Sequence, residues 1–357
     1  MRILQLIDSL ESGGAERMAV NYANALAGQV SFSGLIATRK EGALVQQLDS
    51  EVSYLFLNKR SIIDLKALFR LRNYIIRNKV TVVHAHSSSF FLAFLLKVVY
   101  PSIQLIWHDH YGDSEFLNKR PHVVLKMVLP FFHGIISVNQ RLKVWTEQKL
   151  NLKNIIYLPN FPSEETMISE STVLKGIEGK RIVCLANLRV QKDHFLLLEV
   201  AKKVKVSHPE WTFHLIGKDF KDDYSQQIRH LLLAFRLEKN VFLYDTRQDV
   251  KHILNQATIA ILSSQSEGLP VALLEYGWHK KPVVVTAVGD IPSLIQNGQN
   301  GFVTPAHDDG LFYDALVALM ANPTIQTNFG NALYKTIVEN YSEAVILKKY
   351  LNWLQTI

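Results

Sequence analysis

The chain of 357 residues contains one cysteine, Cys184. No disulfide framework can staple it, and no cysteine-based zinc site can form. Cys184 lies inside an apolar, strand-like run and reads as an inert buried thiol. Long apolar runs are missing as well: no segment approaches the ~20 uninterrupted apolar residues of a membrane-spanning helix. A secretory leader is not seen either, because Arg2 precedes only a few apolar residues before Asp8 interrupts them. The expectation is a soluble, cytoplasmic protein. The first strand–helix turn lacks the G-x-G-x-x-G fingerprint, which sets aside a nicotinamide cofactor. The sequence pI of about 9.2 comes without a recognised nucleic-acid module or interleaved aromatic and basic residues, so no nucleic-acid partner is expected.

What is present is ordinary globular composition, with 48% hydrophobic and 20% charged residues, at a length that suits two domains. The positive charge is uneven. Residues 1–165 carry 19 Lys and Arg against 13 Asp and Glu, leaving 20 against 19 for the remainder. Much of the excess falls between Lys59 and Lys79, where Lys59, Arg60, Lys66, Arg70, Arg72, Arg77 and Lys79 face one acid, Asp64. A basic amphipathic helix of this kind suits either an anionic membrane surface or plain solvent.

Apolar runs of strand length alternate with helical patterns. The first half offers strands at Arg2–Asp8, Val30–Thr38, Glu51–Leu57, Thr81–His86, Gln104–His110, Gly134–Asn139 and Ile155–Leu158. The sequence Pro159-Asn-Phe-Pro162 then breaks the alternation, and the polar stretch from Ser163 to Gly179 reads as an interdomain linker. Strands resume at Arg181–Ala186, Trp211–Ile216, Val241–Tyr244, Thr258–Ser263 and Val283–Thr286, and helices at Tyr313–Met320, Ile325–Glu339 and Glu343–Leu354 close the chain. Alternation at this spacing predicts right-handed βαβ units and α/β architecture: two doubly wound parallel-sheet domains facing across a cleft lined by strand carboxyl ends. The expected boundaries are residues 1–162, 163–340 and 341–357, the last a helix crossing back to the first domain.

The chemistry concentrates in Ser264-Gln-Ser-Glu267-Gly268-Leu269-Pro270-Val-Ala-Leu-Leu-Glu275. A buried strand leads into an acidic loop, then into an apolar helix with Pro270 at its first turn. The amides at such a helix start suit a phosphate, which a carboxylate would repel; Glu267 and Glu275 suit hydroxyls instead, such as those of a ribose and a sugar. The first βα turn carries Gly13 and Gly14, which would let a diphosphate approach backbone amides closely, or simply make a turn. His84-Ala-His86 and His108-Asp-His110 end adjacent strands. Without cysteine or further carboxylate spacing they read as packed or substrate-binding histidines, and no metal is expected. After the first strand of the second half come Arg189 and Lys192, cations that can neutralise a diphosphate, followed by Asp193 as a helix cap. Gly217 ends the next strand.

Glu267 and Glu275, eight apart in this strand–helix setting, resemble the E-x7-E signature of glycosyltransferase family 4, the retaining "group 1" enzymes of GT-B fold. Gly13-Gly14-Ala15-Glu16 and Leu188 with Lys192 match further motifs of that family, although Asn187 stands where its arginine is usual. The resemblance is dense from Cys184 to Phe302 and fragmentary over residues 1–160. It implies a metal-independent retaining glycosyltransferase with no cofactor beyond its substrate, a nucleotide-diphospho-sugar, UDP-sugar favoured over GDP-sugar. Gly217, Gly268, Leu269 and Pro270 would line the donor, Glu267 would hold its sugar and Glu275 its ribose. Lys192, with Arg189, would stabilise the leaving diphosphate, His108 would orient donor and acceptor, and Gly13 and Gly14 would face the phosphates. The implied acceptor is a saccharide, in particular a lipid-linked oligosaccharide of bacterial capsule, exopolysaccharide or lipopolysaccharide synthesis. Peripheral contact with the inner face of the cytoplasmic membrane follows from such an acceptor. Alternatives are a soluble enzyme using a small sugar or sugar phosphate, and a sugar-nucleotide epimerase of the same fold.

Overall fold

The computed structural model describes every residue except Ser12, Asp113 and residues 163–171, together with the side chains of Ser114 and Glu115. Two compact units are present: Met1–Ser163 with Glu343–Ile357, and Glu164–Ser342.

In the first unit, strands β1 (Arg2–Ser9), β2 (Phe32–Lys40), β3 (Ser53–Phe56), β4 (Val82–His86), β5 (Gln104–Asp109), β6 (Gly134–Ser137) and β7 (Ile155–Tyr157) alternate with helices. These helices are α1 (Gly14–Leu26), α2 (Leu65–Arg77), α3 (Phe90–Val99), α4 (Val123–Val128) and α5 (Gln140–Leu150). All seven strands are parallel, in the order β3-β2-β1-β4-β5-β6-β7. The direction of winding reverses between β1 and β4, which opens a crevice at the carboxyl ends of that pair. Period-two alternation sorts the strand side chains between two cores. Leu4 and Leu6 pack with Leu68, Leu71 and Leu92 of α2 and α3, whereas Ile7 and Leu35 pack with Ala19, Val20 and Ala23 of α1.

The basic stretch at Lys59–Lys79 is only partly helical. Asp64 accepts from the Ala67 amide and starts α2 there, and Lys59 lies outside the helix as a buried residue. Ile62, Ile63, Leu65 and Phe69 are exposed. Helix α4 is short and gives way to a 3-10 turn, Leu129–Phe131, because Pro130 cannot supply an amide to the helical ladder.

The second unit has strands β8 (Arg181–Leu185), β9 (Thr212–Ile216), β10 (Val241–Tyr244), β11 (Ile259–Leu262), β12 (Val283–Thr286) and β13 (Phe302–Thr304). Its helices are α6 (His194–Ser207), α7 (Asp223–Ala234), α8 (Val250–Gln256), α9 (Val271–Trp278), α10 (Ile291–Leu294), α11 (Asp309–Met320) and α12 (Pro323–Tyr341); the last helix of the chain, α13 (Glu343–Leu354), belongs with the first unit. The parallel order is β10-β9-β8-β11-β12-β13, so winding reverses between β8 and β11. Strand β13 was not anticipated: three residues at a sheet edge are too few to show a period. The linker reading over Ser163–Gly179 also changes. Residues 163–171 lie outside those described, while Leu174 is buried in the second core and Thr172 bonds Asp249, so the part that follows packs as second-unit structure.

Tyr276 ties this sheet to α9. Its ring is fully buried, its hydroxyl accepts from the Leu185 amide at 2.6 Å and donates to the Ile261 carbonyl at 3.3 Å, so it bridges the ends of β8 and β11. Tyr276→Phe strands a buried amide, which costs about 1–3 kcal/mol. Urea unfolding of the variant should lose that much stability, and an unchanged midpoint would show the bridge to be immaterial.

Candidate active site

The loops that leave β8 and β11 lie side by side at the reversal of the second sheet, and backbone contacts stitch them together. Ser263 Oγ donates to the Lys192 carbonyl at 3.0 Å, the Gln265 amide to the Gln191 carbonyl at 2.9 Å, and the Gln265 side-chain amide to the Val190 carbonyl at 2.7 Å. Lys192 Nζ then meets Glu267 Oε1 at 2.5 Å, and Ser264 Oγ donates to the same oxygen at 2.7 Å. The Glu267 side chain is only 8% exposed and that of Lys192 21%. A carboxylate so deeply placed needs a cation and hydrogen bonds, because desolvation otherwise exceeds what it gains. Behind it runs the Val288–Asp290 turn. Gly289 has φ +57, and a Cβ there would sit 2.3 Å from the Glu267 carbonyl oxygen, while the Asp290 amide donates to the Gly268 carbonyl at 3.0 Å. Only glycine fits there.

Leu269 is buried, and Pro270 occupies the N-cap position of α9, with Val271 the first helical residue. Five residues past Pro270, about one and a half turns along, stands the half-buried Glu275. Gly217 closes the same end of the sheet: a Cβ there would lie 2.2 Å from the Ala186 carbonyl oxygen. Asn187 takes part in this closure, its Oδ1 accepting from the Lys218 amide at 2.8 Å. That explains an asparagine at the position where the family motif has arginine: here the side chain holds the Gly217 loop instead of offering a charge. Arg189 is exposed and stacks over Phe220 with its guanidinium carbon 4.3 Å from the ring centre. Asp193, at φ +46, accepts from the Leu196 amide and caps α6, as its place in the sequence predicts. Cys184 is buried, and burial pushes its thiol up to about 12, so it is not a nucleophile.

The first unit carries its polar residues on one face of the sheet, as period two requires. Gln5 on β1, His84 and His86 on β4, His108 on β5 and His110 just beyond it share that face, with Gln5 paired to His84 and His86 to His108 across the ladder. Tyr22 of α1 and Tyr350 of α13 cover them, their ring centres 5.1 Å and 5.3 Å from that of His84. His84 Nε2 and His108 Nδ1 are 3.1 Å apart, His86 Nδ1 and His110 Nε2 3.0 Å, His86 Nε2 and Gln5 Oε1 2.8 Å, and Tyr350 Oη and His84 Nδ1 3.2 Å. Burial, reinforced by the neighbouring imidazoles, holds His84, His86 and His108 well below the usual histidine range, and burial alone takes His110 to about 3. All four are neutral. Among the described residues, His84, His86 and His108 form the one group whose donor atoms are close enough to share a metal ion.

His108 therefore lies in a packed layer, 0% exposed, and not open at the strand end. Its Nε2 is buried and has no hydrogen-bond partner among the described residues. At the first βα turn Gly13 is the N-cap of α1 with extended backbone, φ −164, which any residue could adopt. A Cβ at Gly13 would meet only the Glu16 carboxylate, and one at Gly14 would meet nothing within 4 Å. The fold itself does not demand glycine at Gly14.

In the second unit Lys192 and Glu267 meet where the winding reverses, Gly268, Leu269 and Pro270 continue that loop, Glu275 lies inside α9 and Gly217 follows β9; in the first unit Gly13 and Gly14 follow β1, while His108 lies on β5, one strand beyond the reversal. Ser264 and Asn187 acquire roles only from three-dimensional contacts. The shared parity of Gln5, His84, His86, His108 and His110 could have revealed the histidine layer, but Tyr350, 266 residues from His84, has no local signal at all.

Two parallel-sheet units with these crossovers define a GT-B fold. The family model described as Glycosyltransferase Family 4 matches residues 12–162, and that described as Glycosyl transferases group 1 matches residues 168–336. An uncharacterized glycosyltransferase of Haemophilus influenzae is 23% identical over 95% of both chains. The UDP-Gal:alpha-D-GlcNAc-diphosphoundecaprenol alpha-1,3-galactosyltransferase of Escherichia coli is 22% identical over 91% of this chain and 89% of its own. A Staphylococcus aureus TarM variant, solved with Fondaparinux, alpha-GlcNAc-glycerol and UDP, superposes with TM-score 0.80 over 99% of both chains at 16% identity. The chain belongs to the group 1, family 4 glycosyltransferases and is a glycosyltransferase.

The Lys192–Glu267 pair makes a thermodynamic prediction. Lys192→Ala removes the cation from a nearly buried carboxylate that keeps its Ser264 hydrogen bond and should cost about 1–3 kcal/mol, whereas the double variant with Glu267→Gln should recover part of it. A coupling energy near zero in that double-mutant cycle, measured by urea unfolding, would mean that the pair is not formed in solution.

Proposed function

We propose that the protein is a metal-independent, retaining hexosyltransferase that moves a sugar from a UDP-sugar to a saccharide acceptor, in particular a lipid-linked oligosaccharide, in bacterial capsule, exopolysaccharide or lipopolysaccharide synthesis. The observation that carries this reading is the Lys192–Glu267–Ser264 cluster at the reversal between β8 and β11, beside the N-terminus of α9. Doubly wound sheets bind ligands at that place, and free helix-start amides favour phosphate.

Lys192 supplies the positive charge that stabilises the diphosphate as it departs, with Arg189 a second cation of the same loop. Glu267, already neutralised by Lys192, accepts from sugar hydroxyls, and Glu275 accepts from the ribose. In the first unit, His108 is fully buried against Tyr22, so a contact between His108 and the sugar is not part of this reading. Glu267 is engaged with Lys192 and Ser264, which argues against its attacking the anomeric carbon. Same-face transfer fits better: the acceptor oxygen bonds to the anomeric carbon as the bond from that carbon to the phosphate oxygen breaks. The acceptor's proton then passes to the departing diphosphate. The diphosphate thus provides the base, and the protein provides position and charge.

The E. coli relative's name specifies a UDP-sugar and a diphosphoundecaprenol acceptor, and the TarM structure contains UDP. Those two names support the uridine donor and the lipid-linked acceptor. Exposed apolar residues of the first unit support work at a membrane face. Val123, Val124 and Met127 of α4 are 69%, 52% and 69% exposed, with Lys126 among them, and Phe116 and Phe131 lie on either side in sequence. No described helix is long and apolar enough to cross a membrane.

Thermal-shift screening against UDP-, GDP- and ADP-sugars, with and without EDTA, tests the donor assignment. UDP-sugars should raise the melting temperature regardless of EDTA, and Glu275→Ala should lose most of that shift. Stabilisation only by another nucleotide, or only with a divalent ion present, would contradict the assignment.

A further inference from the structure

The first unit holds a lysine whose charge has no counterpart. Lys59 follows β3, and its amide donates to the Thr38 carbonyl at 2.7 Å, which carries the β2–β3 pairing past the last residue of β3 and sets Lys59 alongside Thr38 and Arg39. The side chain is only 7% exposed. Among the described residues it makes no ion pair and no side-chain hydrogen bond. Two carboxylates act on it, and both are engaged elsewhere. Asp8 accepts from Thr38 Oγ1 at 2.5 Å and from Ser88 Oγ at 2.6 Å, and Arg39 Nε lies 3.7 Å from its Oδ1. Asp64 accepts from the Arg60 and Ala67 amides at 3.1 Å and 3.0 Å.

Burial, and then repulsion from Arg39, draw Lys59 below the usual lysine range, although Asp8 and Asp64 pull the other way. A nearly buried cation without a partner costs free energy that packing does not return, and an apolar side chain of the same length would fill the space at lower cost. Charge kept in such a place suits an anion that arrives later. The position suits a ligand as well. Asp8 belongs to β1 and Ser88 follows β4, so their hydrogen bond spans the strand pair at which the winding of this sheet reverses. Doubly wound sheets bind ligands at the crevice there. In the same loop as Lys59, only a few residues on, Ile62 and Ile63 are exposed, as is Leu65 at the start of α2. Cations next to bare apolar side chains match an amphiphile, a polyanionic group joined to a hydrocarbon chain.

We propose that Lys59 and Arg39 form an anion site of the first unit that binds the diphosphate of a lipid-linked acceptor, with Ile62, Ile63 and Leu65 against its lipid. This rests on the lipid-linked acceptor proposed above. The two substrates then meet separate cations: the donor's diphosphate meets Lys192 in the second unit, and the acceptor's meets Lys59 and Arg39 in the first. The acceptor is recognised by its diphosphate as well as by its sugar, so an oligosaccharide without that group is a poor substrate.

Calorimetric titration of the full-length protein with farnesyl diphosphate, inorganic diphosphate and UDP, each alone, tests the site in wild type, Lys59→Met and Arg39→Gln. Wild type should bind farnesyl diphosphate, and each variant should lose at least about tenfold in that affinity while its UDP affinity stays within about twofold. Lys59→Met should also keep or raise the urea midpoint of the ligand-free protein, because it removes an unpaired, nearly buried charge. A lowered midpoint would show Lys59 to be paired in the folded protein and would overturn the proposal. So would failure of wild type to bind farnesyl diphosphate, or unchanged affinity for it in both variants. An equal loss of UDP affinity would assign these cations to the donor and overturn the acceptor assignment. Inorganic diphosphate binding as tightly as farnesyl diphosphate would overturn the role given to Ile62, Ile63 and Leu65. Absence of UDP binding in wild type, with farnesyl diphosphate behaving as expected, would count against the donor reading alone and leave this site supported.

Discussion

A carboxylate that is nearly buried must be paired, and in this chain that requirement ties two loops from different crossovers into one site. Glu267 follows β11, Lys192 follows β8, and the strands are neighbours only because the winding of the sheet reverses between them. The backbone contacts from Ser263 and Gln265 to residues 190–192 hold the loops in register, and Gly289 lets a third turn press against the Glu267 backbone. The pair is therefore fixed before any ligand arrives.

The first unit uses the same topology with different chemistry. Its reversal lies between β1 and β4, and the residues there are glycines and neutral histidines in place of an ion pair. Burial removes the charge from the four imidazoles, leaving them to act through hydrogen-bond direction alone.

Much of this was readable beforehand. β-Branched runs bounded by turns located twelve of the thirteen strands, and Asp193 acts as the cap that its position suggests. The strand–loop–helix unit around Glu267 and Glu275 could be drawn from Pro270 and the apolar helix after it. What could not be read depended on contacts between distant segments. Asn187 looked like a departure from a motif until its bond to the Lys218 amide appeared, and the sequence left His108 open between packed and substrate-binding until Tyr22 of α1 was seen against it. The short edge strand β13 escaped because three residues show no period, and the linker was drawn too long because the local sequence does not show that Leu174 is buried in the core while Val173 and Ile177 beside it are exposed.

The claim on which the rest depends is that Lys192 meets the diphosphate. Calorimetric titration of UDP into the wild-type protein and into Lys192→Met tests it with a variant that keeps the side chain's length and removes its charge. The account predicts that UDP binds the wild type and that the variant loses at least about tenfold in affinity, roughly 1.4 kcal/mol. Equal affinity in the two proteins, both folded, would contradict it and would place the leaving group elsewhere.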